Sequence, residues 1–266
     1  YLPRGFLFSS ASNAMFSRGD EGVDYCLGLL NSKVHSLLSK ALNPTVNANP
    51  GDIGKIPLIF AKEDVSECVR EIVDISKRDW DSYERSWNFK TNPLVELSKS
   101  GLATYETIEK SYWNFIDNNR RSVSRAKEVE EWINEAVINA YGLGEQIDSE
   151  LSIHEVTLTS NPVYRYGVRF SEAELLERLQ QNTIAELVSY SVGCFLGRFS
   201  INKPGLIIAN EGGTLNDYFH QVPLPSFLPD EDGIIPFTDQ EWFSDDATNR
   251  FREFVRVVWG DEHLQE

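Results

Sequence analysis

Apolar residues recur every three or four positions over several stretches of the chain, and this spacing predicts amphipathic helices. The first stretch runs from Val23 to Leu42, where we predict one helix that ends at Asn43-Pro44. A second helix is predicted from about Asp64 to Lys77. The longest run, Thr104 to Tyr141, contains neither Pro nor Gly. It predicts one continuous helix that spans roughly 50 Å at ~1.5 Å per residue.

The second half of the chain carries clear start signals for helices. Ser171 and Glu174 have the spacing of a capping box and predict a helix that reaches about Phe199. Gly193 and Gly197 lie four residues apart in that predicted helix, where they would let another backbone approach closely, and we predict tight packing there. Residues 200–237 are rich in Gly and Pro and predict a long loop.

Signals at the two ends of the chain complete the expected fold. Thr238 and Glu241 predict a second capping box and the start of the last helix. Residues 1–16 alternate apolar and small side chains and predict one or two strands. The fold class is therefore predicted to be mainly α, with a small α+β N-terminal part and a long helical spacer between two subregions. Because the chain opens on Tyr1 and has no Gly or Pro stop signal before Glu266, we expect a fragment of a longer polypeptide.

Charge is unevenly distributed over the 266 residues. The net charge is −16, with +1 over residues 1–58, −4 over residues 59–141 and −13 over residues 142–266. A surface that binds nucleic acid needs cations to neutralise phosphates. Any DNA contact is therefore expected in the near-neutral N-terminal part and on the Arg-bearing helix, and not in the acidic second half.

Composition excludes several other classes of protein. The longest apolar runs are far too short to span a membrane, so we expect a cytoplasmic protein. Three cysteines and four histidines lie scattered, without the spacing of a zinc site or of a nucleophile with its base. Asp245-Asp246 and Asp230-Glu231-Asp232 could ligate a hard cation, but carboxylates near a helix start more often serve its dipole. No metal site is predicted.

Several segments resemble DNA-modifying enzymes. Leu27 to Lys33 (LGLLNSK) and Gly51 to Pro57 (GDIGKIP) resemble the closing segment of the target-recognition domain in DNA methyltransferases and restriction specificity subunits. Further segments resemble the PglX-type adenine-specific DNA methyltransferases of BREX phage-defence systems. These are Trp80–Phe89, Asn92–Leu94, Leu158–Gly167, Ser189–Phe199, Gly233–Pro236 and Glu241–Asp246.

The resemblance covers only the C-terminal portion of such an enzyme, after its catalytic domain. It implies that residues 1–60 end a target-recognition-like domain, residues 61–142 form a helical spacer and residues 143–266 form a C-terminal helical region with a long Gly/Pro-rich loop. It also implies that the parent enzyme uses S-adenosylmethionine and acts on double-stranded DNA in a restriction-modification-like defence system.

The residues themselves do not supply the chemistry of methyl transfer. Adenine methylation needs a Gly-rich turn after a strand and an Asn-Pro-Pro-Tyr-type loop that holds the flipped base. Asn161-Pro162-Val163-Tyr164 comes close, but Val163 replaces the second Pro and no strand–GxG–helix unit precedes it. Gly142-Leu143-Gly144 closes a helix and does not follow a strand. We therefore predict no catalytic, cofactor-binding or metal-binding residue in this chain, and no cofactor bound to it.

Candidate DNA contacts fall into two groups. The first lies in the recognition-like part and the second on the long helix: Arg4, Arg18, Lys33, Lys40 and Lys55, then Arg120, Arg121 and Arg125. Lys and Arg can reach phosphates, and Arg can pair with guanine edges. Ordinary solvated cations are an equally good interpretation of the first group and a better one of the second. Tyr164-Arg165-Tyr166 could clamp a ligand or form a buried structural corner.

Two functions follow from these observations. The first is the specificity and scaffold region of an adenine-specific DNA methyltransferase in phage defence. The alternative is an acidic helical module that docks other proteins of the defence complex, which the −13 charge of residues 142–266 favours.

Overall fold

The computed structural model describes residues 7, 14–16, 22–43, 50–99, 107–240 and 242–264. Within these ranges the secondary structure is helical and contains no β-strand. The mainly α fold class is therefore confirmed. The strands predicted for residues 1–16 fall on a segment of which only residues 7 and 14–16 are described.

The described residues form ten α-helices and two 3-10 turns. The helices are α1 Val23–Asn31, α2 Lys33–Leu42, α3 Pro50–Ile53, α4 Ser66–Asp81, α5 Pro93–Lys99, α6 Ile108–Tyr141, α7 Pro162–Tyr166, α8 Glu172–Phe195, α9 Leu215–Gln221 and α10 Ala247–Trp259. The 3-10 turns are Ile153–Glu155 and Asp261–His263. In this part of the chain, no helix is long and apolar enough to cross a membrane.

The chain divides into two compact units. Unit 1 comprises residues 1–77 and 122–158, and unit 2 comprises residues 78–121 and 159–266. The 34-residue helix α6 confirms the long uninterrupted helix predicted from the apolar spacing, and it contributes residues to both units. Helix α4 also contributes to both, and it extends four residues beyond the predicted end at Lys77.

The single helix predicted for Val23 to Leu42 is wrong, because the chain breaks at Ser32. This buried residue is extended (φ −81°, ψ 162°) and its Oγ accepts a hydrogen bond from the backbone N–H of His35, capping α2. The N–H of Lys33 donates to Oδ1 of buried Asn134 on α6 at 2.9 Å. The break therefore satisfies backbone groups that would otherwise be left without a partner at the helix end.

The core of unit 1 forms around the second part of α6. Val129, Ile133 and Val137 of α6 pack in one buried cluster with residues of α1, α2 and α4. Gly28 of α1 permits this packing, since a Cβ there would lie 2.9 Å from Cγ2 of Val69. Excluding water from such apolar surface is the main favourable contribution to folding.

The core of unit 2 forms around α8. Its Tyr190 and Cys194 are buried with side chains from α5, α10 and the first part of α6. Tyr190 stacks on Phe199 with ring centroids 5.2 Å apart, and Trp259 of α10 donates its indole N–H to Oγ of Ser111 on α6. Buried Trp is favourable when its N–H finds such an acceptor.

The capping box of α8 is confirmed, whereas the second predicted box does not start the last helix. Ser171 and Glu174 exchange hydrogen bonds with each other's backbone N–H groups. Helix α10 begins at Ala247, with Asp246 as its N-cap. Thr238 instead donates its N–H and hydroxyl to Asp246, while the side chain of Glu241 lies outside the described residues.

The loop predicted over residues 200–237 contains helix α9. Between α6 and α8 lie the 3-10 turn Ile153–Glu155 and α7. Helix α8 ends at Phe195, four residues before the predicted end. The tight packing predicted at Gly193 is confirmed, because a Cβ there would lie only 2.5 Å from Cδ2 of Phe199, whereas Gly197 lies beyond the end of the helix.

Gly193→Ala is expected to lower the free energy of unfolding by about 1–2 kcal/mol. The added methyl forces the Phe199 ring out of its place in the core, and this overpacking outweighs the gain in helix propensity. Gly144→Ala is the control, since no atom lies within 4 Å of a Cβ at that position. Urea unfolding monitored by circular dichroism measures both variants, and equal stability of Gly193→Ala and the parent chain would contradict the packing described here.

Candidate nucleic-acid interface

The candidate lysines in the part that resembles a target-recognition domain differ in the ion pairs and hydrogen bonds that they form within unit 1. Lys40 is exposed on α2. Lys33 forms an ion pair with Asp148 at 2.8 Å and also donates to the carbonyl of Glu150. Lys55 forms an ion pair with Asp52 at 2.9 Å. Lys40 is therefore the most available of the three for an external phosphate, while Arg4 and Arg18 lie outside the described residues.

The three arginines predicted on α6 are exposed, and each has a partner. Arg125 makes a two-pronged hydrogen bond to Glu71, with Nε and Nη2 at 2.7 and 2.8 Å from the carboxylate oxygens. This contact raises the pKa of Arg125 above its ordinary value, because the carboxylate stabilises the cation. In unit 2, Arg121 donates to the carbonyl of Asp117, and Arg120 lies 3.9 Å from the Asp117 carboxylate.

The Asn161 motif has a structural function in unit 2. Asn161 is buried and caps α7, with Oδ1 accepting a hydrogen bond from the N–H of Val163 at 3.2 Å. Pro162 occupies the first helical turn, where it needs no N–H partner. The hydrogen-bonding atom that would hold a target amine in a methyltransferase loop is therefore directed at the local backbone.

Arg165 lies in a partly buried aromatic corner, which is close to one of its two interpretations, whereas Tyr164 of the same motif is exposed. Its Nη2 lies 3.1 Å from Oε1 of Glu186, and its guanidinium carbon lies 5.4 Å from the ring centroid of Tyr83 and 5.5 Å from that of Tyr166. Burial raises the pKa of Glu186, although Arg165 opposes this shift. The phenol oxygen of Tyr166 accepts a hydrogen bond from Asn182 at 2.6 Å.

The structure adds one arginine that the sequence analysis did not single out. Arg85 is exposed, and its guanidinium carbon lies 4.4 Å from the ring centroid of Trp80. Its Nη2 donates to Oγ1 of Thr159 at 2.8 Å. The signal in the sequence was Trp80-x4-Arg85-x-Trp87, but nothing in that spacing predicts that Arg85 stacks on Trp80.

The acidic segments bind backbone groups. Buried Asp246 caps α10 through Oδ1, and its hydrogen bonds, first of all with Thr238, lower the pKa of its carboxyl. Asp230 accepts from the N–H groups of Asp232 and Gly233. The interpretation as a helix-start residue is thus confirmed for Asp246, whereas residues 230–232 lie between α9 and α10 and start no helix. Across the residues that the structure covers, no group of three or more His, Cys, Asp or Glu side chains could hold a metal ion.

Glu130 on α6 is a carboxyl with a strongly shifted pKa. Burial, together with a smaller contribution from the nearby charge of Glu155, raises the pKa of Glu130 to about 7. A perturbed carboxyl can mark a functional site, although structural burial has the same effect. Both residues belong to unit 1.

The chain is similar in sequence to known proteins. Over its full length the chain is homologous to adenine-specific methyltransferases. Adenine-specific methyltransferase BrxX of Escherichia coli O9:H4 (strain HS) is 36% identical over 269 residues, which cover 100% of the chain and 22% of BrxX. Adenine-specific methyltransferase PglX of Lacticaseibacillus casei (strain Zhang) is 29% identical over 274 residues, which cover 100% of the chain and 20% of PglX.

The resemblance to the PglX type is therefore confirmed. Both relatives are methyltransferases of BREX systems, and the chain corresponds to a C-terminal portion of them. The chain spans about a fifth of the length of each relative. No protein-family model matches the chain.

Glu130→Gln is expected to stabilise the protein at high pH and not at low pH. The folded-state pKa of about 7 lies above the unfolded value of about 4.3, so burial of Glu130 lowers the free energy of unfolding progressively as pH rises from about 4.3 to about 7. At pH 8 the variant should be more stable by an amount on the order of 2 kcal/mol, whereas at pH 4 the two proteins should be equal. Denaturant unfolding at both pH values measures this.

The control is Glu135→Gln, which removes an exposed carboxylate from the same helix. Its effect on the free energy of unfolding should be small and should not change between pH 4 and pH 8. The same pH dependence in both variants would show that burial of Glu130 is not its cause.

Proposed function

We propose that the chain is the non-catalytic specificity and scaffold region of an S-adenosylmethionine-dependent, adenine-specific DNA methyltransferase that acts in phage defence in the cytoplasm. The observation that carries this proposal is the homology to BrxX over the whole chain. In this proposal the parent polypeptide binds the cofactor and double-stranded DNA, and the chain contributes no catalytic residue.

The geometry around Asn161 supports the non-catalytic role. The closest approach to an adenine-methyltransferase loop in the sequence is a helix cap, with its side-chain oxygen bonded to the N–H of Val163. The Gly142-Leu143-Gly144 segment directly follows the end of α6, and Gly142 has a positive φ of 65° that suits a helix terminus. Neither segment has the strand-to-helix context of a cofactor turn.

Lys40 and Lys55 support a role in DNA contact. Both are exposed lysines of the part that resembles a target-recognition domain, and the Lys55–Asp52 pair is a surface ion pair worth little in water. A DNA phosphate could therefore replace Asp52 as the partner of Lys55 at small cost. Arg120 and Arg121 are weaker candidates on α6, and the two-pronged contact with Glu71 makes Arg125 the weakest.

The proposed division of the chain into three regions is the one that the family resemblance implied. Residues 1–60 close the recognition domain, residues 61–142 form the spacer and residues 143–266 form the C-terminal helical region. Helix α6 suits a spacer, because its 34 residues contain no Pro or Gly that would kink it. Its function would be to position the recognition part against the catalytic domain of the parent enzyme.

Replacing Lys40 and Lys55 together by Ala should weaken DNA binding by the complete methyltransferase and reduce its salt dependence. Each lost phosphate contact lowers the slope of log K against log salt by about 0.9, so the expected reduction is about 1.8. Anisotropy of a labelled duplex carrying the methylation site, titrated at several salt concentrations, gives the slope.

Lys62→Ala is the matched control, because Lys62 is an exposed lysine in the same unit. It removes one charge without touching the recognition-like segments, and its slope should remain that of the parent enzyme. An unchanged slope and unchanged methylation in the Lys40 and Lys55 double variant would remove both residues from the proposed interface.

A second function is favoured by an ordered loop before α10. Thr238 donates to Asp246, the N–H of Trp242 donates to Thr238, and the N–H of Ala247 donates to the carbonyl of Pro236. These bonds hold Trp242 in a position where 70% of its surface is exposed. Exposed aromatic side chains on a preorganised loop are typical of protein interfaces. In this alternative the acidic second half docks other proteins of the defence complex.

A further inference from the structure

Two tryptophans, Trp80 in the last turn of α4 and Trp87 six residues beyond its end, have exposed side chains. Trp is among the side chains that gain most free energy from burial. Trp80 is 48% exposed and Trp87 is 83% exposed. Single exposed apolar residues are common on protein surfaces. Here, however, both rings lie on one short segment, and an arginine lies between them in the sequence.

The turn that carries Trp87 is fixed by buried neighbours. Buried Ser86 donates its hydroxyl to Oδ1 of Asp81 at 2.5 Å and accepts from the N–H of Asn88 at 3.1 Å. Tyr83 and Phe89 on either side are buried. Because the turn is anchored at these positions, it holds the backbone of exposed Trp87 in a defined place.

Arg85 is held in place by this surface. Its guanidinium carbon lies 4.4 Å from the Trp80 ring centroid and 5.2 Å from that of Tyr83, and one N–H donates to Thr159. A guanidinium has five N–H donors, which match the oxygens of a phosphate. Among the described residues, no carboxylate forms an ion pair with Arg85. Stacking therefore fixes the orientation of an arginine with unused donors, which lowers the entropy cost of binding an anion.

Three nearby carboxylates have hydrogen-bond partners other than Arg85, although the charge of Arg85 still opposes the rise that burial causes in the pKa of one of them, Glu186. Asp79 accepts hydrogen bonds from the N–H groups of Thr159 and Ser160 at 2.7 and 2.9 Å. Asp81 accepts from Ser86, and Glu186 is paired with Arg165. These internal partners explain why Arg85 remains without an ion pair next to several acidic residues.

We propose that Trp80, Arg85 and Trp87 form a binding site for an unpaired nucleotide of DNA, with Arg85 on the phosphate and the exposed ring of Trp87 stacked on the base. We call this site the Trp80–Arg85–Trp87 surface. It extends the proposed function, and the assignment of DNA as its ligand rests on that function. In a duplex the faces of the bases are covered by their neighbours, so an indole can stack only on a base that has left the helix. Enzymes that modify a base take it out of the stack, so their substrate passes through such a state.

The chemistry of the surface matches that of single-strand binders. Such proteins combine arginine with aromatic rings on which bases stack, and sequence matters little to the contact because every base has a π-face. A Lys at position 85 would keep the charge but lose the planar stack on Trp80. Arg85→Lys therefore separates this site from a simple electrostatic attraction to phosphate.

The test measures binding of the 266-residue chain to a labelled single-stranded DNA of about 12 nucleotides and to the matching duplex, by fluorescence anisotropy. Trp87→Ala should raise the Kd for the single strand about tenfold, and Arg85→Lys should raise it severalfold. Neither change should alter the Kd for the duplex by more than about twofold, because Lys40 and Lys55 carry that contact.

Two control variants match the two substitutions. Trp113→Ala removes a ring that is 46% exposed in the same unit, and Arg252→Ala removes an exposed arginine of α10. Both should leave the Kd for the single strand within about twofold of the parent value. Thermal unfolding monitored by circular dichroism should show Trp87→Ala as stable as the parent chain, since the ring is 83% exposed.

Each outcome distinguishes the two proposals. Weaker single-strand binding by Trp87→Ala and Arg85→Lys with unchanged duplex binding supports the Trp80–Arg85–Trp87 surface. Unchanged single-strand binding by both variants overturns it and leaves the duplex contact of Lys40 and Lys55 standing. Equal losses on both DNAs overturn it as well, since they indicate a general phosphate contact. A chain that binds neither DNA overturns the Trp80–Arg85–Trp87 surface, whereas the duplex contact of Lys40 and Lys55 is tested separately on the complete methyltransferase.

Discussion

The buried face of α6 is the constraint on which the rest of the structure depends, because each unit builds its core on part of it. Tyr112, Phe115 and Ile116 belong to the core of unit 2, and Val129, Ile133 and Val137 belong to the core of unit 1. With one face buried in this way, the helix can expose cations only on its other faces. The placement of Arg120, Arg121 and Arg125 on the surface follows from this division.

Periodicity predicted those parts of the fold in which local spacing decides the outcome. The three- and four-residue spacing located α6, and the Ser171–Glu174 capping box located the start of α8. Each of these signals depends only on residues that are a few positions apart in the sequence. The break at Ser32 depends on Asn134, which lies about a hundred residues further along the chain. The start of α10 depends on Asp246, which takes Thr238 as a partner. A local sequence pattern cannot predict which distant residue will form these hydrogen bonds.

The candidate site was only partly predictable for the same reason. The sequence gives the position of a cation but does not show whether a carboxylate pairs with it. Arg125, for example, pairs with Glu71, which lies 54 residues earlier in the chain. Arg85 is the opposite case, since it stands among acidic residues in the sequence yet pairs with none of the described ones. The family resemblance rested on motifs in register, and the homology to BrxX confirms it, whereas the assignment of DNA contacts remains a proposal.

The central proposal is that this portion directs a methyltransferase whose reactive centre lies elsewhere in the polypeptide. Its most direct test removes the homologous 22% from Escherichia coli BrxX and measures binding of S-adenosylmethionine and methylation of a DNA that the complete enzyme modifies. We expect the shortened enzyme to bind the cofactor with unchanged affinity and to lose methylation of that DNA. Undiminished methylation by the shortened enzyme, or binding of S-adenosylmethionine by the 266-residue chain alone, would contradict the account.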